Sequence, residues 1–181
     1  SDITIDSNGH IYITGSTNST DYPVTSQAYD RSYNGGSDVF ISKLNTDLTK
    51  LVSSTLIGGD DWDKAESLML DSEGNGYITG FKESTEFHKT PGAYDETHNG
   101  RRDVFCAKFD NSLSNILFST FVGGEDDETA YGITRDTEGN IYMAGYTKSD
   151  GYPSSPGAYD ENYNGFIYYA VFVTKLDDKL S

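Results

Sequence analysis

At 181 residues the chain is long enough for one domain or for a portion of a larger one, and 29 acidic against 13 basic residues leave a formal charge of −16. A surface of that sign repels phosphate, so nucleic acid is excluded as a partner; no run is long and apolar enough for membrane insertion and no signal peptide appears. Nineteen Gly and fourteen Tyr beside few helix formers point to β-structure, and the single Cys106 excludes an internal disulfide.

Three copies of one ten-residue pattern follow one another at a spacing of 65 residues: Asp6 to Gly15, Asp71 to Gly80 and Asp136 to Gly145. Each reads as a hairpin, in which an apolar run meets an Asp-x-x-Gly turn and then a strand rich in Ile and Tyr. Asp bonds the backbone ahead of it and Gly takes the positive φ such a turn needs. A repeated hairpin means a repeated structural unit.

In chain order, the first unit carries strands a (Ile3–Asp6), b (Ile11–Ser16), c (Asp38–Leu44) and d (Leu51–Gly58). The second carries a (Ala65–Asp71), b (Asn75–Phe81), c (Asp103–Phe109) and d (Ile116–Gly123). The third carries a (Ala130–Asp136), b (Ile141–Thr147) and c (Val171–Leu176), with c displaced by two residues through the stretch from Gly165 to Ala170. This divides the chain into residues 1–58, 59–123 and 124–181, eleven strands with the last d absent. The first residues already read as strand, so the chain is expected to be a portion of something longer.

Strand c is apolar on both faces: Val104 and Cys106 point one way, Phe105, Ala107 and Phe109 the other. Such a strand must be covered on both sides. Four-stranded antiparallel sheets stacked around an axis meet that need, which makes the expected fold an all-β propeller; a parallel β-solenoid, with shorter repeats, is the alternative. Ile41 and Val173 stand at the position of Cys106, so the thiol reads as a small core hydrophobe rather than a reactive group. Fewer than three complete blades do not close a ring of about four to eight, so other blades or copies of the chain are expected as partners, by strand exchange among other routes.

Several motifs carry a family resemblance. Gly58-Gly-Asp-Asp and Gly123-Gly-Glu-Asp-Asp-Glu precede the Asp-x-x-Gly-Asn-x-Tyr-x-x-Gly hairpin, and Thr90-Pro-Gly-Ala-Tyr94 and Asp103-Val-Phe-Cys-Ala-Lys108 recur in related form. Together they resemble the bacterial and archaeal SBBP β-propeller repeat over essentially the whole chain. Departures are modest: Ser26-Gln27 stands where Pro-Gly is expected, and His88 where the other copies have Pro23 and Pro153. The resemblance implies blades of an extracellular or cell-surface propeller, often within large modular proteins, and implies no defined catalytic activity.

Alternating strand direction assigns the a–b and c–d turns to one face and the b–c and d–a loops to the other. The d–a loops bring Asp60, Asp61 and Asp63, and Glu125, Asp126, Asp127 and Glu128, onto flexible Gly-Gly segments. These carboxylates could converge on Ca²⁺, although their spacing is not that of an EF-hand; the alternative is that they cap amides or are solvated. The b–c loops are about 20 residues long, an unusual length. They contain Tyr29-Asp30, Tyr94-Asp95 and Tyr159-Asp160, each leading on to Asn34-Gly35, Asn99-Gly100 and Asn164-Gly165. Tyr, Asp and Asn suit sugar binding, while Tyr at one place in every copy suits packing between blades. Thr90-Pro91 reads as a helix N-cap and then the first helical residue, which predicts a single helical turn there.

Catalytic signatures are thin: His10, His88 and His98 do not recur as a set, and neither a G-x-S-x-G elbow nor a P-loop occurs. Asn18-Ser-Thr20 is a lone glycosylation sequon. The expectation is a non-enzymatic extracellular scaffold and interaction or adhesion module that meets a surface protein or a glycan and requires no cofactor. A carbohydrate-binding propeller is the alternative, and a part of a polysaccharide-active enzyme a third reading.

Overall fold

The computed structural model describes residues 1–163 and 168–180. Eleven strands and no helix occur among them. The first sheet is β1 (Asp2–Ile5), β2 (Ile11–Thr17), β3 (Asp38–Leu44) and β4 (Leu51–Ile57), paired in that order. The second is β5 (Asp63–Leu70), β6 (Gly76–Lys82), β7 (Asp103–Phe109) and β8 (Ile116–Val122). The third has β9 (Glu128–Arg135), β10 (Ile141–Thr147) and β11 (Ala170–Leu176), with β11 at an edge. All pairings are antiparallel meanders. These are propeller blades in an arc that does not close on itself.

The a–b turns form for the reason the sequence suggests. Asp6 Oδ1 accepts the Asn8 and His10 amides at 2.9 Å each, Asp71 Oδ1 those of Glu73 and Asn75, and Asp136 Oδ1 those of Glu138 and Asn140. Gly9, Gly74 and Gly139 take φ of 82°, 81° and 98°, where a side chain would be strained. The same aspartates continue inward. Lys43 reaches Asp6 at 3.6 Å across the Tyr12 ring, and Lys108 reaches Asp71 at 3.6 Å across the Tyr77 ring.

Stacking is carried by the faces of strand c. Strand β5 lies across β1, β2 and β3, and β9 lies across β5, β6 and β7. Between the first two sheets, Tyr12, Val39 and Ile41 meet Leu68, Ile78, Phe105, Ala107 and Phe109. Between the second and third, Tyr77, Val104 and Cys106 meet Ala130, Met143, Phe172 and Leu176. Cys106 is fully buried and its thiol is pushed up to about 12 by burial. The two-faced apolar pattern of β7 is thus the record of two neighbours.

The c–d turns contain a feature that composition does not announce. Leu48, Leu113 and Leu180 all take positive φ, near 60°, an unusual choice for a branched residue. Leu113 and Leu180 are completely buried, each filling the junction with the preceding blade, whereas Leu48 is 62% exposed. Burial of a whole Leu side chain, about 2 kcal/mol, offsets the local strain.

Two expectations about the b–c loops change. Residues 90–93 form no helical turn. The Ala93 amide donates to Thr90 O at 3.1 Å and Gly92 has φ of 82°, which makes a type II β-turn with Pro at its second position. Ser155 to Ala158 repeats it, with Gly157 at 84°; at Thr25 to Ala28 the turn closes without a glycine. Secondly, the loops leave the face assigned to them. Thr25 N donates to Ser54 O at 3.1 Å, the Leu56 amide donates to Asp30 O at 3.1 Å, and the Tyr29 amide donates to Leu113 O in the next c–d turn at 3.2 Å. Thr90, Asp95 and Tyr94 repeat these bonds with Ser119, Phe121 and Leu180. Each of the first two b–c loops is therefore a strap that runs down the outside of strand d towards the opposite face. Alternation of strand direction fixes where a loop starts and ends, not the route of its middle.

Candidate functional site

The acidic d–a loops sit where two blades meet, and their backbone is stitched on both sides. Gly36 and Ser37 amides donate to Asp61 O, and the Asp63 amide returns to Ser37 O at 2.9 Å. Arg101, Arg102, Asp126 and Glu128 repeat the arrangement one blade on. A side chain at Gly35 or Gly100 would strike the carbonyl of Gly59 or Asp126, which accounts for the Asn-Gly pairs. The third pair, Asn164-Gly165, lies outside the described residues.

The carboxylates divide into two groups. Asp63 is buried and accepts from Gly59 N at 3.0 Å, Ser84 Oγ at 2.6 Å and Glu83 N at 3.1 Å. Burial pushes its pKa above the ordinary range against the pull of those donors. Glu128 does the same work with Gly124 N at 2.7 Å, Thr147 Oγ1 at 2.7 Å and Ser149 Oγ at 2.6 Å. Asp127 is stitched to Lys148 at 2.8 Å and Arg101 at 3.4 Å; burial opposes its ionisation, but Lys148, Arg101 and Arg102 together outweigh that and its pKa falls. Asp60, Asp61, Glu125 and Asp126 are exposed, and Asp60 is held low by its own amide and by that of Thr85. Among the described residues no three His, Cys, Asp or Glu side chains are grouped to hold a metal ion. What the arrangement does chemically is fasten a Gly-Gly loop to the start of the next b–c strap.

A second buried carboxylate lies beside each junction, at the start of strand c, and sequence reasoning passed over it. Asp103 accepts from Asn99 N at 2.9 Å and stands 3.9 Å from the fully buried Lys82 ammonium. Its counterpart Asp38 has Thr17 where the second blade has Lys82. Asp38 Oδ1 is buried with no hydrogen-bond partner, and burial, with Asp63 and Asp30 nearby, pushes its pKa to about 6 against the Asn34 amide. Asp-x-Phe recurrence at 38 and 103, read beside Lys82 against Thr17, was the available signal.

The strap tyrosines differ in how much of the neighbouring blade covers them. The Tyr29 hydroxyl is 2.5 Å from His88 Nδ1, and its ring packs edge-on to Phe109 at 6.2 Å. Burial raises the Tyr29 pKa and lowers that of His88, which holds the pair neutral. Tyr94 is 48% exposed and Tyr159 is 108% exposed. The companion Asp30, Asp95 and Asp160 each cap the amide two residues ahead, at Ser32, Thr97 and Asn162. The order of exposure tracks the blades stacked beyond each tyrosine, which is the behaviour of junction filler.

One cavity, about 340 Å³, opens in the third blade. Tyr152, Ser155 and Asp160 of the strap form one wall, and Val171, Phe172, Val173 and Thr174 of β11 form the other. Antiparallel blades stacked in an arc, junction-filling tyrosines and strapped outer strands together define a β-propeller repeat protein. The SBBP family model, described as a beta-propeller repeat, matches residues 1–23 and 118–153, so these segments are similar to SBBP repeats. No curated protein matches the chain.

Proposed function

We propose that the chain is a non-enzymatic run of propeller blades, outside the cell or on its surface, that acts as a scaffold and protein-interaction platform completed by further blades or copies of itself. One observation carries this reading: the groups on which chemistry could rest are committed to structure. His88 is held against Tyr29, His98 against Lys82 and Asp103, His10 against Asp6, and Cys106 lies between two sheets. Asp63 and Glu128 spend their oxygens on loop amides and serine hydroxyls. The first two straps, bonded to strand d through Thr25 and Asp30 and through Thr90 and Asp95, present an outer surface of defined shape, which suits selective rather than indiscriminate contact.

The test is a glycan array with the intact chain, run beside Tyr94→Ala, together with a polysaccharide cleavage assay. The scaffold reading expects no glycan signal and no cleavage. Glycan binding that disappears in a folded Tyr94→Ala variant would replace it with the lectin reading, and turnover would replace it with an enzyme.

A further inference from the structure

We infer that the junction of the first two blades carries a socket for a tyrosine side chain presented by a protein partner. The inference rests on the reading of the chain as a protein-interaction platform, and it names the group that this surface takes.

A cavity of about 580 Å³ lies between the first strap and the c–d turn of the second blade. Its floor is Lys43 and Ser53, which pair across β3 and β4. Ser26 and Gln27 of the strap form one side, and Asn111 and Ser112 of the turn form the other. Lys43 Nζ donates to Asn111 Oδ1 at 2.7 Å, which ties the floor to the turn. Both blades that bound this space are in place, so the cavity belongs to a complete junction.

The second junction is an internal control. Lys108 pairs Phe118 there as Lys43 pairs Ser53 here, and the Phe118 ring packs against the core shared by the second and third blades. In the first junction a small hydroxyl stands in place of that ring. The other walls change with it. Ser26-Gln27 replace Pro91-Gly92 on the strap, and Asn111-Ser112, just before the turn leucine, replace Asp178-Lys179. Five of the eight residues around the cavity therefore differ in kind from their counterparts, in three segments that meet only in space.

Phe118 shows that an aromatic ring fits at this point of a junction. A tyrosine entering from outside takes the same volume in the reverse sense, with its hydroxyl at the floor. Ser53 Oγ is buried there without a hydrogen-bond partner among the described residues, and a phenol can meet it as donor or acceptor. Charge agrees with this choice. In a chain of net charge −16 the cavity wall carries no carboxylate and a single ammonium, that of Lys43, which is 7% exposed. A partner's Lys or Arg would find no counter-charge on that wall, and a carboxylate would meet an ammonium that Asp6 already holds at 3.6 Å. A neutral ring with an electron-rich face and a polar tip is complementary to it. Ser26 and Gln27, exposed at the rim, are placed to bond the main chain that delivers the ring. Tyrosine serves as an interface anchor because it buries a large area at low cost in conformational entropy.

The experiment titrates N-acetyl-tyrosinamide into the intact chain and follows the amide NMR signals of Ser53 and Ser112, beside N-acetyl-phenylalaninamide and N-acetyl-leucinamide. Saturable shifts are expected with the tyrosine compound and none with the leucine compound. The phenylalanine compound should bind about threefold to tenfold more weakly, the worth of one hydrogen bond. Ser53→Ala should keep binding and erase the preference for tyrosine over phenylalanine. Ser53→Phe, which copies the second blade, should abolish binding. Should that variant fail to fold, Gln27→Trp, at an exposed rim position, closes the mouth and should have the same effect. No saturation, an equal response to either control compound, or binding unchanged by the variant that fills or closes the cavity overturns the socket. Those outcomes leave the scaffold reading untouched. Glycan binding or turnover, read in the glycan array and the cleavage assay, would overturn that reading while leaving tyrosine binding in place.

Discussion

The second blade and the third are built from the same repeat, and they differ in what lies beyond them. In the second, Val104, Cys106 and Leu113 are buried against neighbours on both sides. In the third, Val171 and Val173 keep most of their surface in water, and Tyr159 is fully exposed where Tyr29 is packed. A residue's fate here is decided less by its own strand than by whether another blade is stacked on it. The blade is a unit of sequence, whereas the junction is the unit of stability, as in other stacked repeat architectures.

The comparison is broken most severely in its centre. Phe105→Ala removes a ring that touches Phe87 at 4.9 Å and fills the first junction, and should cost about 3–5 kcal/mol in urea denaturation. Val173→Ala, on a face with no neighbour, should fall within about 0.5 kcal/mol of the parent. Next in size is the turn leucine. Leu113→Ala should cost about 2–4 kcal/mol, and Leu48→Ala, the same residue at the same φ with nothing packed on it, about 0.5 kcal/mol or less. Equal costs at the two sites would show that the turn itself, not the junction, sets its value.

A smaller effect separates the two c-strand aspartates. Asp38 has a folded pKa of about 6, above its ordinary value of 3.8. Its contribution to stability is therefore complete below about pH 4 and is lost as pH rises through about 6. Asp38→Asn should stabilise the chain at pH 7 by about 1 kcal/mol, with the advantage over the parent vanishing near pH 4. Asp103→Asn should do the reverse at pH 7, because Lys82 would be left buried without its charge partner. Thermal melts of both variants across pH 4 to 7 check the signs.

The smallest effect concerns the acidic loops. Their buried members already hold amides and hydroxyls, so a calcium chelator should leave the melting temperature within about 1 °C of its value without chelator. A drop of several degrees would return Asp60, Asp61, Asp63 and Glu125 to Glu128 to a cation-binding role.

Much of the fold was legible because the repeat speaks three times. The Asp-x-x-Gly turns and the two-faced strand c located the strands to within two residues, since φ requirements and burial act locally. The straps were legible only as length. Their path depends on hydrogen bonds between Thr25 and Ser54 or Asp30 and Thr55, residues 25 to 29 positions apart that carry no periodic signature. Thr90-Pro91 misled for a related reason: Pro suits the first residue of a helix and the second of a β-turn equally, and Gly92 decides for the turn. Among site residues, the buried roles of Asp63 and Glu128 depended on Ser84 and Ser149 arriving from the next strand, and the Asp38–Asp103 contrast on a substitution at position 17.

The lone thiol turns the second junction into a clock. Cys106 is sealed between the second and third sheets with its thiolate suppressed, so a soluble alkylating reagent meets it only when those sheets part. The labelling rate of the native chain then counts the partings.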